Sequence, residues 1–295
     1  MNMPRKESAS LLKENPLIIV TIALIVLTAF LYYVLFNEST KDTLVVSFLD
    51  VGQGDAIYIE APNGNQMLID GSRSVRVTHG LSGAMPFWDR SINVVLATHP
   101  DADHIGGLPA VIGRYSVGSL LHSGVSSESS LDDALLNDAE VQNVRVRELR
   151  SGDSIRLSPR VHFDVLFPPV DPEGMDPNDA SIVGRLVYGD TAFLLSGDAP
   201  KVVERYIART YRENIKSNVL KVGHHGSDTS TALSWLGWSQ PEYAVISAGE
   251  DNSYGHPHQE VLDRLAQFGI EVVQTAKVGT VTFESDGKEV RCVTC

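Results

Sequence analysis

"THPDADHIGG", residues 98–107, places His99, Asp101, Asp103 and His104 within six consecutive positions. An apolar run, Ile92–Ala97, leads straight into it. The pattern is that of a buried strand breaking into a loop from which a helix starts. His99 and Asp101 stand two apart in an extended segment and project to one side. Asp103 and His104, at the helix start, can turn toward a neighbouring point. This geometry suits two metal ions about 3.5–4 Å apart, each held by an imidazole and a carboxylate. The bland alternative, a solvated acidic loop with a capping aspartate, would explain one His-x-Asp. It explains four ligand-type side chains poorly.

The chain has nine histidines, and six of them fall into three short clusters: His99 with His104, His224 with His225 in "VLKVGHHGS", and His256 with His258 in "YGHPH". Each cluster follows an apolar strand or sits in a glycine-rich loop. "FLLSGD" ends another strand at Asp198. Random surface placement would scatter such residues, so the distribution itself points to metal. Short β-type runs are predicted at 43–49, 55–60, 66–69 and 92–98, with "PNGN" (62–65) as a turn between the second and third. Helices are expected near 107–115, 131–139, 201–211, 231–236 and 259–268. Strands are expected at 144–149, 154–157, 161–167, 219–222, 243–247, 270–275, 279–284 and 288–293, and residues 181–198 read as a hairpin turning at 188–191. Antiparallel meanders mixed with strand–helix units predict two sheets with helices outside, an α/β (α+β) body.

HPDADH resembles the HxHxDH signature of the metallo-β-lactamase fold. With "FLDVGQGDAIYIEAPNGNQMLIDG", "LLSGD", "LKVGHHGS" and "SAGEDNSYGHPH", residues 43–285 are similar, in order, to the hydrolase domain of ComEC-type DNA-uptake proteins. The resemblance implies a four-layer αββα sandwich with a dinuclear site at one edge. It assigns His99 and Asp101 to a first metal and Asp103 and His104 to a second. Asp198 would bridge, and the late histidine would be His224, with His225 ambiguous beside it. Asp70 in "LIDG" would orient a ligand, and Asp50 or Asp55 in "FLDVGQGD" would do the same, an ordinary strand–turn–strand being the alternative. The glycines there permit close backbone approach. Two departures stand out. Asp101 replaces the usual second histidine, and no histidine precedes the "SIV" strand, where Asn178 is the candidate ligand. A site so rich in oxygen shifts preference from zinc toward manganese or magnesium. His122 and His162 lie inside apolar strands and read as core or surface residues.

Asp103 and His256 are the candidate catalytic residues, His256 for an oxyanion or a leaving group. Lys221 and Ser227 could touch a phosphate, although a strand-end lysine can equally be paired internally. The net charge of −13 excludes nucleic-acid binding through a broad basic field, leaving only local cations for a polyanion. Residues 17–36 carry no charge, proline or glycine and match the roughly 20 residues that cross a bilayer. A transmembrane helix is therefore expected there, after a cytoplasmic tail (1–16) and before a linker (37–42). The hydrolase domain, 43–295, would lie on the extracytoplasmic side of the cell membrane. A cleaved signal peptide is the competing reading. Cys292 and Cys295 could join as a local disulfide. The leading expectation is a membrane-anchored phosphodiesterase using two divalent ions, zinc or manganese, on DNA. The alternatives are a hydrolase of a small phosphodiester, another ester or a lactam, and a non-catalytic module of a membrane complex.

Overall fold

The computed structural model describes residues 16–39, 42–126 and 130–295. It divides into two compact units, one ending at Asp42 and the other running Thr43–Cys295. The first holds helix α1, Pro16–Ser39, whose side chains are described as far as Tyr32. Among the described residues no helix is long and apolar enough to cross a membrane. The expected span over 17–36 therefore lacks support there, because the described apolar stretch stops short of the bilayer's requirement. The expected tail and residues 40–41 of the linker fall outside the described residues, apart from Pro16 at the tail's end.

The second unit follows alternation. Strands β1 (Leu44–Phe48), β2 (Ile57–Glu60), β3 (Gln66–Ile69), β4 (Ser91–Ala97), β5 (Ser116–His122) and β6 (Arg145–Glu148) enter one sheet. Strands β7 (Ser154–Arg156), β8 (Val161–Phe167), β9 (Val183–Tyr188), β10 (Thr191–Leu195), β11 (Val219–Lys221), β12 (Tyr243–Ile246) and β13 (Glu271–Gln274) build the other. Strands β14 (Val281–Ser285) and β15 (Val290–Thr294) return to the first. The orders are β15-β14-β1-β2-β3-β4-β5-β6 and β13-β12-β11-β10-β9-β8-β7. With side chains alternating in direction, Leu44, Val46, Phe48, Ile69 and Leu96 meet Phe163, Phe193, Val245 and Phe283 in the central core. Losing Phe193 or Phe283 to alanine would cost about 3–5 kcal/mol.

The opposite faces are covered by helices. Helices α2 (Arg76–Ala84), α3 (Ala102–Ile105), α4 (Leu108–Ile112) and α5 (Ser130–Val141) belong to the first half. Leu81 of α2, Val111 of α4 and Leu135 of α5 pack on Leu68, Val95 and Leu120. Helices α6 (Lys201–Tyr211), α7 (Leu233–Ser239), α8 (Gln259–Gln267) and α9 (Thr275–Val278) belong to the second. Ile207 of α6, Trp235 of α7 and Leu265 of α8 cover Leu194, Leu220 and Ala244. Four layers, αββα, result. The hairpin turns between Tyr188 and Thr191 as expected. Helix α2 was not anticipated: Gly80 and Gly83 weaken its local propensity, and only burial of Val77 and Leu81 reveals it.

What positions the site is strand direction. Strands β3 to β6 run parallel, as do β10 to β13. Their carboxyl ends leave Asp70, His99, Asp198 and His225 at one edge, the usual place for ligands in parallel sheets.

Candidate metal centre

Strand β4 ends at Ala97, and the chain turns out through Thr98 and His99 before α3 begins. His104, in the first turn of that helix, is fully buried. Its Nδ1 lies 2.8 Å from Asp70 Oδ2, and its Nε2 lies 3.3 Å from Asp198 Oδ2. Asp70 also accepts from the Thr98 backbone N–H and hydroxyl, each at 2.8 Å. That hydroxyl lies 3.0 Å from His99 Nδ1. One carboxylate thus fixes both imidazoles, directly and through Thr98, as an outer partner of a metal-binding histidine does.

The second half approaches from the other side. His225 Nε2 stands 3.3 Å from His104 Nε2, 3.5 Å from Asp198 Oδ2 and 3.6 Å from Asp103 Oδ2. Its Nδ1 lies 2.9 Å from the Ser247 carbonyl and 3.4 Å from Asp55 Oδ1. His99 Nε2 lies 3.7 Å from Asp101 Oδ2 and 4.0 Å from Asp198 Oδ2. Two ligand sets emerge with atoms close enough to share an ion: His99, His104 and Asp198, and Asp103, His104 and His225. His99 Nε2 and Asp198 Oδ1 are buried with no hydrogen-bond partner. Orphaned polar atoms of this kind are costly, and divalent cations would satisfy both. The donor set fits such ions.

Electrostatics point the same way. Burial works against charge on His104 and His225, yet the Asp198 carboxylate, with Asp70 at one ring and Asp55 at the other, raises both well above the ordinary imidazole range. Burial also pushes Asp198 up, and the same imidazoles bring it well below the usual carboxylate range. Asp103, pushed up by burial, is pulled down to about 2 by its bond to His225 and by the charge of His104. His99, buried and beside His104, falls to about 3. A field strong enough to draw protons onto two facing imidazoles would hold cations between them. Four site residues, Asp70, Ser72, His224 and His225, adopt left-handed backbone with φ of 48–59°, a strain of about 1–3 kcal/mol each that collects at functional sites.

Several expected residues land elsewhere. His225, not His224, enters the inner cluster; His224 Nε2 is 3.8 Å from Asp198 Oδ2 and partly exposed at the rim. Lys221, expected to touch substrate, is fully buried, with Nζ 2.9 Å from Asp55 Oδ2 and donating to the Val222 carbonyl at 2.9 Å. No substrate reaches it. Ser227 is buried and accepts from Thr229 within its own turn. Asp50 accepts only the Gly52 N–H, so of that motif's acids Asp55 alone faces the cluster. Gly54 permits the approach: a Cβ there would stand 2.1 Å from the Asp103 carbonyl oxygen. Asn178 Oδ1 is buried without a partner, outside the ligand sets. His122 borders a separate cavity, and His162 pairs with Asp164 at 3.3 Å.

A cleft of about 230 Å³ opens over the centre, bordered by Asp101, Asp103, Asp198, His224, His225 and His256. Burial beside His224 lowers His256 to about 4, and its Nδ1 has no partner. The cleft also receives Gln53, Tyr254 and Arg73. Sequence reasoning missed Arg73 and Tyr254. Nothing marks an arginine three positions after "LID" as special, and only the fold brings it to the acids.

Residues 49–250 match the family model for the metallo-beta-lactamase superfamily. Over 275 residues the chain is 32% identical to ComE operon protein 3 of Bacillus subtilis, covering 86% of this chain and 34% of that protein. It is 32% identical over 254 residues to recombination protein 2 of Haemophilus influenzae, covering 84% and 29%. The chain thus spans about a third of the length of these relatives. Among solved structures, CmlA, a diiron beta-hydroxylase from Streptomyces venezuelae, superposes with a TM-score of 0.51 at 13% identity, covering 78% of this chain and 52% of that one; this likeness concerns the fold. With its sandwich, its strand-end ligands and the match over 49–250, the chain belongs to the metallo-β-lactamase superfamily.

Proposed function

We propose that the protein is a metal-dependent phosphodiesterase acting on DNA. The observation that carries this reading is the buried cradle around His99 Nε2 and Asp198 Oδ1, both without partners, with a cation beside it. Among the described residues Arg73 forms no ion pair, and it shares the cleft with three aspartates. Held by His99, Asp101, Asp103, His104, Asp198 and His225, two divalent ions supply Lewis acidity that activates a water and offsets phosphoryl charge. Zinc and manganese both suit this donor set. Asp70 and Asp55 hold the imidazoles in orientation. Arg73 offers a fork of N–H donors for a non-bridging phosphate oxygen. His256, neutral at physiological pH, donates a hydrogen bond to an anionic oxygen at the cleft's outer wall. The relatives named as competence and recombination proteins support DNA as the substrate.

A small phosphodiester is the second reading, favoured by the net charge of −13. We infer as well that residues 17–36 anchor the chain in the cell membrane with the hydrolase unit outside. A continuous helix over Pro16–Ser39 and a Cys292–Cys295 disulfide support this, since disulfides persist in oxidising compartments.

The test is hydrolysis by the full chain in detergent with Mn²⁺ or Zn²⁺, using single-stranded DNA, bis-p-nitrophenyl phosphate and nitrocefin. DNA cleavage that disappears in Asp103→Ala is expected. Turnover of the small ester alone would favour the second reading, and turnover of nitrocefin alone would overturn both. External protease acting on intact spheroplasts should remove the hydrolase unit if the anchor is correctly placed.

A further inference from the structure

A second cavity, of about 190 Å³, opens at the carboxyl end of β5 and shares the wall of His99 and Pro100 with the metal centre. Its floor is apolar, made by Leu120, Val125, Leu135 and Leu136. Its polar lining is acidic, with Asp132 and Glu148, and holds one imidazole, His122. Carboxylates so close together repel a phosphate, so the scissile group does not belong there. An apolar slot with a few convergent polar groups takes a flat ring bearing N–H donors. The Gly124 N–H donates to His122 Nδ1 at 3.2 Å, and burial holds this imidazole below its ordinary pKa. A neutral His122 therefore carries its proton on Nε2, a donor left for a ring carbonyl.

We propose that this cavity is the base subsite of a nucleotide substrate, seating a nucleobase beside the scissile phosphodiester and preferring bases with an exocyclic amine to thymine. The proposal rests on the phosphodiesterase reading of the adjacent centre. It assigns the two cavities complementary halves of one ligand, the anionic group to the cleft with Arg73 and the ring to the slot with His122. Amine hydrogens meet the carboxylates of Asp132 and Glu148, which thymine's methyl and carbonyl groups cannot satisfy.

Methyl NMR of the full chain in detergent tests the site without catalysis. Titration with deoxycytidine 5′-monophosphate should shift the methyls of Leu120, Val125, Leu135 and Leu136 saturably, and thymidine 5′-monophosphate should bind about fivefold more weakly or worse. Leu136→Trp, at a half-buried position that can accept bulk, should weaken nucleotide binding at least about tenfold. The same variant should raise KM on oligodeoxycytidine by a similar factor, while methyl p-nitrophenyl phosphate, which has no base, is turned over within about twofold of wild type. Asp132→Asn with Glu148→Gln should level the cytosine–thymine difference. No methyl shift with any nucleotide, or equal losses on both esters, would overturn the proposal. Methyl shifts in a protein that cleaves no phosphodiester would uphold the subsite and remove the catalytic reading instead.

Discussion

The two sheets reach the metal centre on different terms. The eight-stranded sheet delivers His99, Asp101, Asp103 and His104 from one loop after β4, and Asp70, which orients them, comes from the adjacent strand β3. The seven-stranded sheet delivers one group per strand end: Asp198 after β10, His225 after β11 and the Ser247 carbonyl after β12. The carboxylate facing His225, Asp55, comes from the opposite sheet and is itself tied to Lys221. One half of the centre is thus organised locally. The other is organised only when the two halves dock.

Asp198 is where the halves meet, since its Oδ2 lies within 4.0 Å of imidazole nitrogens from both. Asp198→Ala should therefore have the largest effect. We expect bound metal to fall below one ion per chain and hydrolysis to drop by about 10³-fold or more, as when a group acting on the reacting centre is removed. Elemental analysis of the purified variant checks the first, and steady-state rates the second. Full metal content with Asp198 absent would mean that the two halves bind independently.

Lys221→Met attacks the docking instead. It strands Asp55, whose carboxyl burial would push up were it not for the Lys221 ammonium and His225, which hold it far below the usual carboxylate range. Removing one partner of a buried pair costs about 3–5 kcal/mol, readable as a lower denaturant midpoint. Asp55→Leu with Lys221→Met should recover much of that stability, while His225 loses the carboxylate facing it and metal affinity stays low. Full recovery of metal binding would show that the tie between the sheets is structural only.

Glu204 supplies the contrast on the same side of the molecule. It is buried without an adjacent ammonium and accepts the Thr231 and Ala232 N–H groups at 2.8 and 2.6 Å; burial outweighs those bonds and pushes it up to about 7. Between an unfolded value of 4.5 and that value the folded state binds the extra proton. Its contribution to stability is therefore complete below pH 4.5 and is lost as pH rises through 7. Relative to Glu204→Gln, wild type should lose roughly 3 kcal/mol across that window. The variant's missing acceptor adds only a pH-independent offset. A flat difference between the two would show that backbone donors alone keep this carboxylate charged, as Lys221 keeps Asp55.

Those same two halves differ in how far they can be read without coordinates. His99 to His104 stand out because one loop holds them, so linear spacing reports their geometry. Asp70 and Asp198 are visible as acids closing apolar strands, and the strand alternation predicts both sheets. Lys221 is ambiguous because its partner lies in a distant segment, and burial alone separates a structural lysine from a phosphate ligand. The choice between His224 and His225 turns on consecutive left-handed residues that no composition signals. Arg73 is invisible for the same reason as α2: its place depends on a helix whose apolar face has meaning only against a finished sheet.

The smallest expected effect sharpens the local half. Asp70→Asn keeps the shape of the tether but not its charge, leaving the Thr98 N–H and hydroxyl an acceptor while His104 Nδ1 faces a neutral amide. Losing an outer partner of this kind lowers metal affinity about 10–100-fold, which a competition titration against a fluorescent chelator would measure. Folding stability should change little, because burial already pushes the Asp70 carboxyl up and ionising it costs energy that His104 only partly returns. Asp55→Asn, read by the same two measurements, should instead lose stability along with affinity, since it leaves the Lys221 ammonium buried without a counter-charge. Equal stability losses in the two variants would mean that both tethers hold the sheets together, and the distinction between a locally built half and a docked half would disappear.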